Sequence, residues 1–169
     1  MRILGIDPGL RHSGWGVIEA SGNRLRHIAN GAVNSDADRP MQDRLLQLCE
    51  GINQVIQEFD PNEAAIEETF VSVNAASTLK LGQARGAILL APARAGLPVA
   101  EYAANLIKKS VTGTGHAGKA QIEMMVRTLF PGCELHGPDA ADALAVAVCH
   151  AHHAATQRVW AAAAGAGAR

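Results

Sequence analysis

The hydrophobic period of the chain changes near Pro40, and this change constrains the fold more than any other feature of the sequence. Before it, residues 2–7, 13–20 and 24–33 have the length and patterning of β-strands. After it, apolar residues recur every three or four positions over 45–59, which predicts a helix whose apolar stripe packs on a sheet. The chain is therefore expected to open with an antiparallel meander of strands, followed by a helix.

The remainder of the chain alternates between short apolar runs and helical patterns. A buried strand is expected at 63–67 and another strand at 98–102, with a helix at 75–95 between them and a basic segment at 105–119 after them. This order predicts an α/β domain in which a mixed five-stranded sheet is flanked by helices; the alternative is an α+β fold with the meander packed separately. The last helices are predicted at 119–130 and 138–155, in a single domain of residues 1–157 that precedes a disordered Ala/Gly-rich tail at 158–169.

Composition favours a globular protein over a disordered or membrane-bound one. The 169 residues are 48% hydrophobic with a net charge of −1, which is enough apolar material for one well-formed core. The three cysteines lack the spacing of a metal site or a disulfide framework, so they are interpreted as reduced packing residues. Neither a signal peptide nor an apolar run of membrane-spanning length is recognisable, and a cytoplasmic location with no membrane association is expected.

Charge is distributed unevenly despite the neutral total. Residues 71–127 contain seven bases and two acids, a local balance of +5, so the rest of the chain carries −6. A solvated helix surface accounts for part of this asymmetry. The remainder indicates a basic face and an acidic site on one small domain.

Two of the predicted strands end in a carboxylate. Asp7 closes the first strand and Glu67 closes the fourth. If these strands are parallel neighbours joined by a right-handed helical crossover, both acids lie at the same edge of the sheet, where open α/β sheets place their chemistry. Asp7 also begins an Asp-Pro-Gly sequence, which predicts a type II turn with Gly9 at positive φ.

A second pair of acids begins the last predicted helix. Asp139 and Asp142 are three residues apart in the first turn, after Pro138, and so project from one helix face. Acids are common at this end because they complement the helix dipole. The rest of the helix is almost entirely apolar for three turns, however, and a helix buried on most sides would direct both acids into a cleft.

Four converging carboxylates predict a divalent metal site, since unneutralised they would raise one another's pKa values. Oxygen-only ligands suit Mg²⁺ or Mn²⁺ rather than zinc. Two such ions form the clamp used for in-line phosphoryl displacement, which favours phosphodiester hydrolysis as the reaction. His136 could orient water in such a site, although a loop histidine is more often a polar surface group.

Five blocks of sequence cover nearly the whole chain in the order GIDPGLRHSGWGVIE, AIEETF, STLKLGQARG, GHAGKAQIEMMV and DAADALAVAVCHAH. Together they resemble the bacterial RuvC Holliday-junction resolvases. The resemblance implies a ribonuclease-H-like fold and a homodimer that nicks a four-way DNA junction symmetrically, leaving 5′-phosphate and 3′-hydroxyl ends. It also implies two Mg²⁺ ions per subunit, activity with Mn²⁺, and the RuvA and RuvB branch-migration proteins as partners.

The resemblance assigns roles to individual residues. The acidic tetrad of the family corresponds to Asp7, Glu67, Asp139 and Asp142, which are interpreted as catalytic metal ligands. DNA-binding positions correspond to Phe70, which could stack on an unpaired base, and to two lysines that could contact phosphate. The alternatives are that the aromatic packs in the core and that the lysines are solvated surface residues. The lysines are Lys108 and Lys119, and the further DNA-binding candidates are Lys80, Arg85 and Lys109.

Two other functions are compatible with parts of the sequence. A non-catalytic junction-binding module would use the acids only as caps and turns. A phosphotransferase related to actin and the sugar kinases also opens with an Asp-x-Gly hairpin, although this chain has no second glycine-rich phosphate loop. For the dimer, the helix that carries Gly82 and Gly86 is the candidate interface, because glycines four residues apart let another backbone come close.

Overall fold

A computed structural model describes residues 1–68 and 73–166, with side chains of the last helix described as far as Ala154. Five strands form one sheet in the order β3-β2-β1-β4-β5. The meander strands pair antiparallel, whereas β1–β4 and β4–β5 are parallel, so the predicted mixed sheet is confirmed. The strands are β1 (Arg2–Asp7), β2 (His12–Ser21), β3 (Arg24–Asn34), β4 (Glu63–Glu67) and β5 (Val99–Tyr102).

In the described part of the chain, five helices cover the two faces of this sheet. One hydrophobic cluster joins β1, β2 and β4 to α1 and α2, and a second joins the same strands to α3, α4 and α5. The alternation along β1 explains the two layers, since Ile3 belongs to the second cluster and Leu4 to the first. The helices are α1 (Met41–Phe59), α2 (Ala75–Arg94), α3 (Ala104–Thr112), α4 (Lys119–Leu129) and α5 (Pro138–Ala166).

Helix α3 was not predicted, because its sequence was interpreted only as a basic segment. It has nine residues, of which Ile107 and Val111 are buried, and it ends at Gly113 in a left-handed conformation. Two apolar residues four apart are a weak signal, and their burial depends on packing against α5. This packing places the lysines of α3 near the edge of the sheet.

The apolar helix α5 lies directly on β1 and β2 because glycines leave room for it. A Cβ atom on Gly5 would lie 2.2 Å from the carbonyl oxygen of Ala143, and one on Gly16 would lie 2.7 Å from the Leu144 side chain. Since Gly5 and Gly16 are cross-strand partners, they form a flat strip under the helix. This contact fixes where the acidic first turn of α5 sits above the sheet.

Helix α5 continues to Ala166, past the end expected near Ala155. Alanine is the strongest helix former, which explains why the alanine-rich sequence extends the helix. The domain limit at 157 and the disorder of the tail at 158–169 stay predictions. Among the described residues, no helix combines the length and apolarity needed to cross a membrane.

The turn after β1 differs from the predicted one. Gly9 does not adopt the positive φ that a type II turn would require. A side chain at Gly9 is excluded for another reason, since its Cβ would lie 2.1 Å from the carbonyl oxygen of His12. The buried Ser13 hydroxyl closes the turn by donating to the Gly9 carbonyl at 2.6 Å and accepting from the Gly9 N–H at 3.1 Å. The turn is thus held by a side-chain bridge, and it starts from Asp7 at the end of β1.

Candidate functional site

Three of the four predicted acids meet at one point. Asp7 is the last residue of β1, and Asp139 and Asp142 lie in the first two turns of α5. One carboxylate oxygen from each of these residues lies within 4.8 Å of the other two, and all three side chains are partly buried. This spacing and the all-oxygen donor set fit a hard divalent cation such as Mg²⁺.

Glu67 ends the neighbouring parallel strand. The register pairs Ile6 with Ile66, so Asp7 and Glu67 are the next residues of adjacent strands, as the sequence predicted. Glu67 is not part of the tight group of three, but it lines a small cleft together with Asp142 and Lys108. The acids therefore converge where β1 and β4 end and α5 begins, with Glu67 set slightly apart.

The acids are electrostatically unfavourable without a cation. Burial, and then the negative charges of the other acids, raise the pKa of Asp7 to about 7. Burial and the charge of Asp142 also raise the pKa of Glu67. A bound divalent cation would reverse this effect by stabilising the charged carboxylates.

Two lysines lie at the same edge. The Lys119 ammonium at the start of α4 is 3.1 Å from a carboxylate oxygen of Asp142, and this hydrogen bond raises the pKa of the lysine. Its side chain is 74% exposed, so it can reach a ligand outside the protein. Lys108 on α3 is half-buried in the cleft, and its positive charge partly offsets the rise in the pKa of Glu67. Both residues border the acids.

The other predicted DNA-binding residues are dispersed. Lys109 on α3 and Lys80 on α2 are exposed. Arg85 differs, because its side chain is only 18% exposed and contacts protein groups. Phe70 lies outside the described residues.

The segment before α5 is tethered by a residue that sequence reasoning missed. Asn30 on β3 is buried, and its amide accepts from the His136 N–H at 2.9 Å and donates to the Glu134 carbonyl at 2.9 Å. This holds the backbone of His136 two residues before α5 begins. The importance of Asn30 depends on contacts more than 100 positions away, for which the sequence has no local signal.

A glycine of equal importance was also missed. Gly14 pairs with Asp7 across the sheet, and a Cβ on Gly14 would lie 2.0 Å from the carbonyl oxygen of Asp139. Any side chain at this position would displace the first turn of α5. The acids of β1 and α5 meet because Gly14 lets the two elements touch.

Comparison with known proteins places this arrangement in a family. The family described as "Crossover junction endodeoxyribonuclease RuvC" matches residues 3–150. A curated relative of that name from Paramagnetospirillum magneticum is 63% identical over 158 residues, which are 94% of this chain and 95% of the relative. Another, from Rhodospirillum rubrum, is 61% identical over 155 residues and covers 92% of each chain.

The fold leads to the same family. The structure of T. thermophilus RuvC in complex with a Holliday junction substrate matches with a TM-score of 0.85 and 34% identity, covering 93% of this chain and 96% of that one. The yeast mitochondrial Holliday junction resolvase Ydc2 matches with a TM-score of 0.63 at 12% identity, which indicates the fold alone. With its ribonuclease-H-like sheet and its matching residues 3–150, the chain belongs to the RuvC family of crossover junction endodeoxyribonucleases.

Proposed function

We propose that this chain resolves four-way DNA junctions in recombination and repair by metal-dependent phosphodiester hydrolysis. Membership of the RuvC family supports the activity, and the solved complex of T. thermophilus RuvC with a Holliday junction supports the substrate. The observation that carries the assignment of the site is the convergence of carboxylates from β1 and α5 within 4.8 Å. The residues proposed to hold the metal are the acidic tetrad Asp7, Glu67, Asp139 and Asp142.

The strand and the helix hold the aspartates of the tetrad in place by different contacts. Asp7 is fixed by the strand pairing of β1, and the two acids of α5 are fixed by the contact of that helix with Gly14. Two Mg²⁺ ions held by these oxygens, or Mn²⁺ in their place, would supply the Lewis acidity that activates water and stabilises the leaving oxygen. The raised pKa of Asp7 means that a bound cation must compete with a proton below neutral pH.

Phosphate binding by the lysines near the acids is part of this proposal. Lys119 is exposed beside Asp142, and Lys108 lies in the cleft with Glu67, which supports contact of both lysines with phosphates next to the metal. Lys109 on α3 and Lys80 on α2 are exposed and are proposed as further phosphate contacts. Phe70 is proposed to stack on a base, as the sequence predicted.

A second copy of the chain is proposed to pack on α2, since symmetric cleavage of two strands needs two sites. Among the described residues, apart from the chain neighbours and the backbone of the same helix, no atom lies within 4 Å of a Cβ at Gly82 or Gly86, so this helix face is open there. Beside it lies an apolar groove between α1 and α2, here called the α1/α2 groove, which Gly86 helps to line. Leu46 and Leu90, which also line it, are each 55% exposed. Exposed leucines around open glycines fit a self-complementary interface.

Placement in the cell follows from the proposed reaction. The product of branch migration is the substrate for resolution, so RuvA and RuvB are the proposed partners, and a cytoplasmic location is proposed with them.

The proposal is tested with a synthetic mobile four-way junction and Mg²⁺. The expected result is paired nicks at symmetric positions, with 5′-phosphate and 3′-hydroxyl ends, and loss of these nicks with Asp7→Asn. Binding without cleavage at any metal concentration would instead identify a non-catalytic junction-binding module. Tight ATP binding in place of junction cleavage would identify a phosphotransferase.

A further inference from the structure

Helix α2 carries an arginine that faces the protein rather than the solvent. The side chain of Arg85 is 18% exposed, whereas the arginines of the surface ion pairs, Arg26, Arg39 and Arg127, are 52% to 68% exposed. A guanidinium that loses this much water requires partners inside the protein. Among the residues that the structure describes, Arg85 has two such partners, one on β4 and one on β5.

The first partner is the backbone of Glu67. The Nε–H of Arg85 donates to the Glu67 carbonyl oxygen at 3.3 Å. The pairing of β4 with β1 ends at Ile66, so this carbonyl lies one residue beyond the last β1–β4 pair. Arg85 therefore contacts the backbone of Glu67 directly after the last residue of β4 that pairs with β1.

The second partner is the carboxylate of Glu101, which accepts from an Nη atom of Arg85. Glu101 lies on β5 and pairs with Ile66 across the strands. One planar guanidinium thus joins α2, β4 and β5 beside Glu67. Only arginine offers several donors in a fixed fork, and a lysine ammonium could not keep both contacts in this geometry.

We propose that Arg85 is a positioning residue that holds the end of β4, and with it the Glu67 carboxylate, in the geometry needed for metal binding. This inference rests on the proposed role of Glu67 as a metal ligand. It replaces the sequence-based interpretation of Arg85 as a DNA contact, because the guanidinium is turned towards Glu101 and the backbone of Glu67.

The test separates positioning from phosphate contact by measuring binding and turnover independently. Arg85→Gln is expected to weaken Mg²⁺ binding, measured by titration calorimetry, by about tenfold or more. It is also expected to lower the single-turnover cleavage rate at saturating junction by about tenfold or more. The junction Kd measured in EDTA and its salt dependence are expected to stay unchanged. Arg85→Lys keeps the charge but not the fork, and is expected to remain as impaired as Arg85→Gln.

A matched control is Arg26→Gln. Arg26 on β3 also forms an ion pair with a glutamate, Glu19. Glu19 lies near the end of β2 that is far from Asp7. This variant loses the same charge and is expected to keep the parent values of Mg²⁺ affinity, cleavage rate and junction Kd.

The opposite pattern would overturn the inference. Arg85 contacts phosphate if Arg85→Gln weakens junction binding and makes the slope of log K against log salt shallower by about one, while Arg85→Lys binds the junction like the parent. If Arg85→Gln does not fold, Glu101→Gln tests the same link, since it removes one partner of the guanidinium from a half-exposed position. Unchanged Mg²⁺ affinity and cleavage rate in that variant would count against positioning. A parent protein that fails to cut junctions would instead contradict the proposed function itself.

Discussion

The carbonyl oxygen of Asp139 occupies the space that a side chain on Gly14 would need, at 2.0 Å from the position of its Cβ. Gly14 is the cross-strand partner of Asp7, so one glycine determines how closely the acids of β1 and α5 approach each other. The proposed metal site therefore depends on a residue that carries no functional group.

Substitution of Gly14 by alanine is expected to abolish junction cleavage. The added methyl group must displace the first turn of α5 and separate Asp139 from Asp7, and overpacking of this kind costs about 1–3 kcal/mol of stability. Thermal unfolding and Mg²⁺ calorimetry measure the two effects. The control is Gly51→Ala on α1, whose Cβ would lie 2.3 Å from the Val33 side chain on the face of the sheet opposite α5. It should lose comparable stability but keep cleavage, and equal losses of cleavage would refute the specific role of Gly14.

The metal-free protein is expected to lose stability as the pH rises from about 4 to about 7. In this range the folded state keeps a proton on Asp7, whose pKa is raised to about 7, while the unfolded state has lost it, so deprotonation favours unfolding. Asp7→Asn removes this charge and should unfold several degrees higher than the parent at pH 8 in EDTA, with the difference vanishing near pH 4.

In Mg²⁺ at pH 8 the parent should unfold at a higher temperature than Asp7→Asn, because the ion stabilises only the protein that retains the Asp7 carboxylate. The control is Glu50→Gln, which removes an exposed carboxylate from α1. Parallel pH profiles for the parent and Asp7→Asn would contradict the proposed burial of charge at this site.

Replacement of Lys119 by glutamine is expected to weaken junction binding several-fold and to make the negative slope of log K against log salt shallower by about one. The ammonium lies at the acid cluster and is largely exposed, so it can exchange Asp142 for a phosphate when DNA binds. Fluorescence anisotropy at several salt concentrations measures the slope. Arg127→Gln removes a cation from the same helix, where it pairs with Glu123, and should leave the slope intact. A slope equal to the parent's in Lys119→Gln would exclude the contact.

The α1/α2 groove is expected to be the dimer interface. Leu90→Glu places a charge among its apolar side chains and should shift sedimentation from dimer to monomer at micromolar concentration, with paired nicks replaced by single ones. Met124→Glu is the matched control, since Met124 is 58% exposed on α4 and Leu90 is 55% exposed on α2. A monomeric parent, or equal dissociation of both variants, would be incompatible with this interface.

The sequence predicted the layered fold and the site acids because both follow local patterns. Strand period, helical stripes and acids at element ends can be recognised within a few residues, and the family resemblance added the roles. The type II turn at Gly9 was wrong, because the glycine is required by a close contact with His12 and not by its φ angle. Helix α3 was missed because only two of its nine residues are buried. The role of Gly14 and the proposed role of Arg85 depend on contacts with residues distant in the chain, and no local sequence pattern predicts such contacts.

The glycine contacts between the first strands and α5 also set the order in which activity arises during synthesis. Residues 5–16 can pack against the sheet side of α5 only after the chain has been extended past residue 147. Until then a nascent chain contains Asp7 and Glu67 but has no docked helix to complete the cluster. Contacts of such large sequence separation are slow to form, because loop-closure entropy opposes them until they are made. We therefore expect junction cleavage only from chains in which nearly all of the domain has been synthesised.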